Sequence, residues 1–265
     1  ALGARTVDDV SQIQPGEMVI IRSHGEPVET YRALEEKGAR IVDATCPNVA
    51  RIHQLVAKAE AEGRTPLIIG EAHHPEVLAA ASRSPHSVIL EGPAELEKWL
   101  AERPERREMP LLAVAQTTCI QTIWQNAQKI LKKECTNAEI FDTICLATHK
   151  RQTEAAELAA KVDVMVVVGD RKSANTKHLT EISRLRCPTV YQIEGVEELN
   201  VDFLKGCSVA GLTAGASTPA GIIKEVYATM SEEIKNMEAT EESFEEMLEK
   251  SFKTLNTGEK VTGIV

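Results

Sequence analysis

Aromatic residues are scarce in this 265-residue chain: two Trp, three Tyr and four Phe make up 3% of it, so stacking platforms for nucleic-acid bases are few. Positive charge is also in deficit. Thirty Lys and Arg against forty Asp and Glu leave a net charge of -10, and so acidic a surface repels phosphate backbones. No apolar run approaches the roughly 18 residues that span a bilayer, and the N-terminus lacks the basic and then apolar pattern of a secretory signal. These absences predict a soluble, cytoplasmic protein without a membrane partner. Six cysteines are too few for a disulfide framework, and no C-x-x-C pair occurs, so any metal site must recruit cysteines from distant segments. Neither a P-loop nor a G-x-G-x-x-G turn is present, which removes the main support for ATP or dinucleotide binding.

What the chain does contain is an internal repeat. Residues Ile41 to Cys46 (IVDATC) are echoed 99 positions later by Ile140 to Cys145 (IFDTIC), each an apolar-led strand that ends in a cysteine and feeds a helix. Apolar residues at Val49, Ile52, Val56 and Ala59, and at Ala155, Leu158 and Ala159, carry the helical spacing of three and four. The likeness continues through Pro66 to Gly70 (PLIIG) and Val164 to Gly169 (VMVVVG), short buried-strand runs closed by glycine and a polar turn. It ends in Leu111 to Thr118 (LLAVAQTT) and Ser208 to Thr218 (SVAGLTAGAST), strands that run into hydroxyl residues and then a helix. Met18 to Gly25 (MVIIRSHG) repeats that last strand and is followed by a predicted helix from about Val28 to Glu36.

The predicted organisation is therefore residues 1–45 as the second half of a first α/β unit, 46–144 as a second unit and 145–230 as a third. Strands alternating with helices imply parallel sheets, whose ligands sit beyond the carboxyl ends of the strands. Residues 231–265 differ: nine Glu against four Lys carry -5 of the net charge. They read as an acidic helical linker, and the closing TGEKVTGIV as the start of an OB-fold RNA-binding repeat or, equally, as a helix with a disordered tail. With Ala1 in place of an initial Met and a strand-like end, the chain is expected to be a fragment whose upstream segment supplies a third strand-end cysteine.

Cys46 and Cys145 each end a strand and open a helix, where amide donors and the positive end of the helix dipole suit an anionic sulfur ligand. One such cysteine would be read as a small buried hydrophobe; two in matching Asp-led motifs are read as metal ligands. Cys119, Cys135, Cys187 and Cys207 lack repeat partners and are assigned to packing. Three thiolates from three units suit an iron–sulfur cluster better than zinc. His24 follows four apolar residues at a strand end, and Gly25 lets the chain turn there. His74 and Glu76 flank Pro75, so one rigid turn offers an anion donor and a proton donor. Ser173, Asn175 and Ser217 lie at predicted helix N-termini, where they serve either as N-caps or together as a neutral phosphate cradle. Gln116, Thr117 and Thr118 form the edge of the second unit, while His53, His86 and His149 are assigned to the surface.

The motifs RSHG (22–25), DATCP (43–47), HPEV (74–77), QTT (116–118), DTIC (142–145), Arg151-Gln152, Ser173 to Asn175 and TAGASTP (213–219) occur in this order. Through them the chain resembles the 4-hydroxy-3-methylbut-2-enyl diphosphate reductases, the last enzymes of the non-mevalonate isoprenoid pathway. The resemblance implies three pseudo-threefold-related α/β domains around a central [4Fe-4S] cluster, with Cys46 and Cys145 as two of its three ligands. It further implies that His24, His74, Ser173, Asn175 and Ser217 bind the diphosphate, that Thr117 holds the substrate hydroxyl, and that Glu76 relays protons. The implied reaction removes the allylic hydroxyl as water with two electrons, from a ferredoxin or flavodoxin, and two protons, giving isopentenyl and dimethylallyl diphosphates.

Three departures stand out. The family's first cluster cysteine and a further diphosphate-binding histidine are absent from these 265 residues, so the chain alone is expected to hold a cluster poorly and to be inactive. Ala174 stands where a hydroxyl is common, and Ala79 where glycine is usual. Two other readings stay open: another pseudo-threefold, three-cysteine iron–sulfur enzyme such as quinolinate synthase, against which the HPEV, QTT and TAGAST turns argue, and a non-catalytic diphosphate-binding or RNA-associated module. Some members of the family carry C-terminal ribosomal-type OB-fold repeats, through which RNA would bind.

Overall fold

A computed structural model of the chain describes residues 3–204 and 207–234. The expected OB-fold strand at 257–265, and with it the RNA reading, lies outside the described residues. The chain divides into two compact units, residues 1–152 and 153–265.

In the first unit, β1 (Met18–Ile21), α1 (Val28–Glu36) and β2 (Arg40–Asp43) precede a long helix, α2 (Pro47–Ala61). Then come β3 (Thr65–Ile69), α3 (Pro75–Ala81), β4 (Val88–Leu90), α4 (Pro93–Glu102), β5 (Leu111–Ala115), α5 (Gln121–Glu134), β6 (Ala138–Ile140) and α6 (Leu146–Ala159), whose last turns belong to the second unit. These strands form two sheets, β1-β2 and β4-β3-β5-β6, and every pairing is parallel. The second unit continues with β7 (Val164–Val168), α7 (Ala174–Arg184), β8 (Thr189–Ile193) and β9 (Ala210–Ala214), with the parallel order β8-β7-β9, and a helix from 220 to 234. The fold class is α/β with parallel sheets.

Central strands read as continuous apolar runs because helices cover both of their faces. On one face of the four-stranded sheet, Leu67, Ile69, Leu111 and Ala113 pack on Leu96 and Leu100 of α4 and on Trp124, Ala127 and Leu131 of α5. On the other, Ile68, Leu112 and Val114 meet Ile52, Val56 and Ala59 of α2 and Val77 and Ala80 of α3. Each fully buried aliphatic side chain is worth roughly 1.5–3 kcal/mol, so these two layers hold the strand ends, and the turns beyond them, in place. The two-stranded sheet buries one face, through Ile21, Leu34 and Ile13, while Met18, Ile20 and Val42 are exposed on the other.

The turns at the strand ends recur as the repeat predicts. Gly25 N–H donates to the Arg22 carbonyl, Cys119 N–H to Gln116 and Thr218 N–H to Gly215, at 3.0, 3.0 and 3.1 Å, so RSHG, QTTC and GAST are the same turn after β1, β5 and β9. The cysteine turns also match. Asp43 accepts from Thr45 N–H at 2.9 Å and Asp142 from Ile144 N–H at 3.4 Å. The carbonyls of Cys46 and Cys145 then take the first helical hydrogen bonds, from Ala50 and His149, both at 2.9 Å.

Candidate active site

Parallel strands aim their carboxyl ends in one direction, so β1, β2, β3, β5 and β6 deliver their following turns to one edge of each sheet. In the first unit those turns carry His24, Cys46, His74, Glu76, Thr117 and Cys145. Cys46 N–H donates to the Ser23 carbonyl at 3.0 Å, which ties the first cysteine to the turn bearing His24. Cys145 N–H makes the equivalent bond to the Thr117 carbonyl, also 3.0 Å. The imidazoles of His24 and His74 meet edge to face with ring centroids 5.3 Å apart. His74 is the N-cap of α3 and its Nδ1 accepts from Glu76 N–H at 3.2 Å. Glu76 in turn accepts at Oε1 from Thr117 N–H, 2.6 Å, and at Oε2 from the Thr117 hydroxyl, 2.7 Å. Asn48, two residues past Cys46, donates its side-chain amide to Cys145 Sγ at 3.3 Å. All six nominated residues of this unit thus lie on one closed circuit of contacts.

The electrostatics of the circuit follow from burial. Glu76 is 2% exposed, and desolvation raises its carboxyl above the ordinary 4.5 despite the two opposing hydrogen bonds from Thr117. Its proton is therefore retained to higher pH than on an exposed carboxyl. Burial, and then Arg22, hold His24 below the usual 6.5, and its Nδ1 is buried without a hydrogen-bond partner. An anion beside this ring would oppose both effects.

In the second unit Ser173 is the N-cap of α7 and accepts from Thr176 N–H at 3.4 Å, so the capping role is real. Asn175 in the next turn is 5% exposed, and neither Nδ2 nor Oδ1 has a partner. A buried amide left unpaired costs about 1–3 kcal/mol, which makes it a vacant donor for an anionic oxygen. Ser217 is exposed in the turn after β9.

The remaining cysteines behave as packing residues. Burial pushes the Cys119 thiol up to about 12, and the Cys187 sulfur sits 3.2 Å from the Thr189 carbonyl in the core. Among the described residues no group of three or more His, Cys, Asp and Glu side chains converges as a metal site. Cys46 and Cys145 are both unpaired, partly exposed thiols at helix starts, and they fit two positions of a sulfur-ligated cluster.

The surface assignment of His53 is wrong. It faces inward from α2, is 9% exposed, and lies beneath the RSHG turn, where a Cβ on Gly25 would stand 2.6 Å from its Cε1. Its Nδ1 is 3.3 Å from the Arg83 guanidinium, which also donates to the Glu26 carbonyl at 3.1 Å. His53 occupies the helical stripe of Ile52 and Val56, a position whose inward face was readable. A cleft of about 390 Å3 along Tyr31, Asp43, Thr45, His53 and Arg83 contains none of the nominated residues. Sequence reasoning also missed the role of Gln152, which is buried and caps α5 by accepting from Gln121 N–H at 3.0 Å while donating to the Cys119 carbonyl at 3.0 Å.

Residues 1–231 match the LytB protein family. The chain belongs to that family. It is 36% identical over 248 residues to the 4-hydroxy-3-methylbut-2-enyl diphosphate reductase of Caldanaerobacter subterraneus subsp. tengcongensis, covering 91% of this chain and 81% of the relative. It is 39% identical over 225 residues to the enzyme of the same name from Nitratidesulfovibrio vulgaris, covering 84% and 79%. Among solved structures, the E-1-hydroxy-2-methyl-but-2-enyl-4-diphosphate reductase of Plasmodium falciparum superposes with a TM-score of 0.79 at 26% identity, over 84% of this chain and 70% of that one. A second reductase structure, described as the terminal enzyme of the non-mevalonate pathway, gives 0.56 at 34% identity over 83% and 78%. No helix among the described residues of this LytB member is long and apolar enough to cross a membrane.

Proposed function

We propose that this LytB chain catalyses the reductive dehydroxylation of 4-hydroxy-3-methylbut-2-enyl diphosphate to isopentenyl and dimethylallyl diphosphates. The observation that carries the reading is the closed circuit that joins both strand-end cysteines to the Glu76–Thr117 pair and to the two histidines. Cys46 and Cys145 would be two ligands of a [4Fe-4S] cluster, which when bound supplies the electrons and a Lewis-acidic iron. Glu76, whose burial makes it keep a proton to higher pH than an exposed carboxyl, lies 2.7 Å from the Thr117 hydroxyl. Thr117 hands its own proton to the departing oxygen as Glu76 reprotonates it, so the hydroxyl leaves as water. His24 and His74 bind diphosphate oxygens, as do Ser173, Asn175 and Ser217 of the second unit. The three sheets correspond to three domains over 1–45, 46–144 and 145–230, and the protein works in the cytoplasm with a ferredoxin or flavodoxin as electron donor. The test is anaerobic reconstitution with iron and sulfide of this chain extended by the upstream segment expected to carry the third cysteine, followed by a single turnover of the substrate by the dithionite-reduced protein. Formation of the two products in proportion to bound iron is expected, and a loaded, reduced protein that leaves the substrate unchanged would overturn the assignment.

A further inference from the structure

Asn48 occupies the second position of α2, behind Cys46 as N-cap and Pro47. It is exposed and packs into no core, and asparagine is a weaker helix former than the straight-chain residues that suit such a position. Local capping does not explain it. Its side-chain amide instead crosses 97 residues of sequence to donate to Cys145 Sγ at 3.3 Å. The helix that starts from one strand-end cysteine thus places a hydrogen-bond donor on the sulfur of the other.

Resting on the reading of Cys145 as a cluster ligand, we propose that Asn48 tunes the reduction potential of the cluster through this N–H···S hydrogen bond. A thiolate on iron keeps lone pairs that can accept a donor, and hydrogen bonds to the sulfurs are among the levers that set the potential of such clusters. The reduced cluster carries one more negative charge, shared in part by its sulfur ligands, so a donor on Cys145 stabilises the reduced state more than the oxidised one. Asn48 therefore raises the potential and eases acceptance of the first electron. It is a positioning residue that acts through Cys145, and no proton or substrate atom need touch it.

The experiment is a redox titration of this chain, extended by the upstream segment expected to carry the third cysteine and reconstituted anaerobically with iron and sulfide, read by EPR of the reduced cluster, with iron content and circular dichroism measured in parallel. Asn48→Leu removes the donor at similar volume and faces solvent, so its fold and iron content should match the parent. Its ratio of reduced to oxidised cluster at a fixed potential should fall about tenfold, which is a midpoint about 59 mV lower for one electron. Asn48→Asp keeps the shape, loses the donor and adds a negative charge, and its midpoint should be lower still. Midpoints in both variants equal to or above the parent's, at equal iron content, would overturn the tuning role and leave the ligand assignment standing. Failure of the parent itself to take up iron and sulfide would overturn the ligand assignment, and the role of Asn48 with it.

Discussion

Glu76 and His53 are both buried titratable groups, and desolvation shifts their pKa values in opposite directions, each towards the neutral form. Glu76 has its carboxyl raised by desolvation, with Thr117 as the partner of both oxygens. Its contribution to stability is full below the unfolded value near 4.5 and is lost as pH rises through the raised folded value. Replacing it by Gln keeps the shape and a hydrogen bond to Thr117 but removes the transferable proton. Single-turnover rates should fall by about a hundred- to ten-thousand-fold at unchanged iron content and substrate affinity, and parental turnover by Glu76→Gln would place the proton source elsewhere. His53 is held at about 4, first by desolvation and then by Arg83, against the attraction of Asp43. Its folded value is depressed, so its stabilising contribution is full above the unfolded value near 6.5 and is lost as pH falls towards 4. The loss is at most about 3–4 kcal/mol at 1.36 kcal/mol per pH unit. In urea melts across that window the parent should lose stability steadily while His53→Gln shows a flatter profile, and parallel profiles would show that His53 does not titrate there. Glu76 was legible locally, because His74 and Pro75 mark its turn, and the stripe of Ile52 and Val56 carried the inward face of His53, whereas the partners of each group, Thr117 and Arg83, are distant in sequence.

At the scale of elements, the cassette of strand, Asp-led turn, cysteine and helix was legible because its signals are local. The strands stop short of the expected cysteine ends, β2 at Asp43 and β6 at Ile140, and Asp43 and Asp142 hold the turns that carry the chain on to Cys46 and Cys145. Helical spacing then fixed α2, whose Val49, Ile52, Val56 and Ala59 are all buried as the pattern requires. What local signals do not carry is how one cassette is fastened to the next strand, since that depends on register between strands about 25 residues apart. The two copies solve it differently. Ala44 N–H donates directly to the Ile21 carbonyl at 3.1 Å. In the other copy the Thr143 hydroxyl, fully enclosed, accepts from Ala115 N–H at 2.8 Å and donates to the Ala115 carbonyl at 2.6 Å. Thr143→Val fills the same space but leaves both backbone groups buried and unpaired, at about 1–3 kcal/mol each. Chemical denaturation should show a loss of at least about 2 kcal/mol, and iron uptake should weaken because the Cys145 turn hangs from this bond. Thr143→Ser, which keeps the hydroxyl, should restore most of both, and a valine variant as stable as the parent would remove Thr143 from the account.

For the molecule as a whole, the two compact units carry different parts of the proposed chemistry, with both strand-end cysteines in residues 1–152 and the Ser173–Asn175 turn in 153–265. The repeat made both turns visible in the sequence. It could not say that Asn175 would be buried with both ends of its amide unpaired, a fact that depends on how α7 packs against its own sheet. Under the proposed role of Asn175 in diphosphate binding that vacancy is a stability cost kept for the ligand, and removing it should separate the two effects. Asn175→Leu replaces an unsatisfied amide by an apolar side chain of similar size, so the ligand-free protein should gain about 1 kcal/mol, a rise in Tm of about 2–4 °C. The same change deletes the proposed donor to the diphosphate oxygens. Inorganic diphosphate, which should raise the parental Tm through binding to the folded state, should therefore stabilise Asn175→Leu far less, with an affinity at least about tenfold weaker. Iron content after reconstitution should not change, because neither cysteine is touched, and Cys145→Ala should show the converse pattern of lost iron with diphosphate stabilisation retained. A leucine variant that binds diphosphate as the parent does, or that melts several degrees lower, would mean that the buried amide is structural and that the anion is held by other groups.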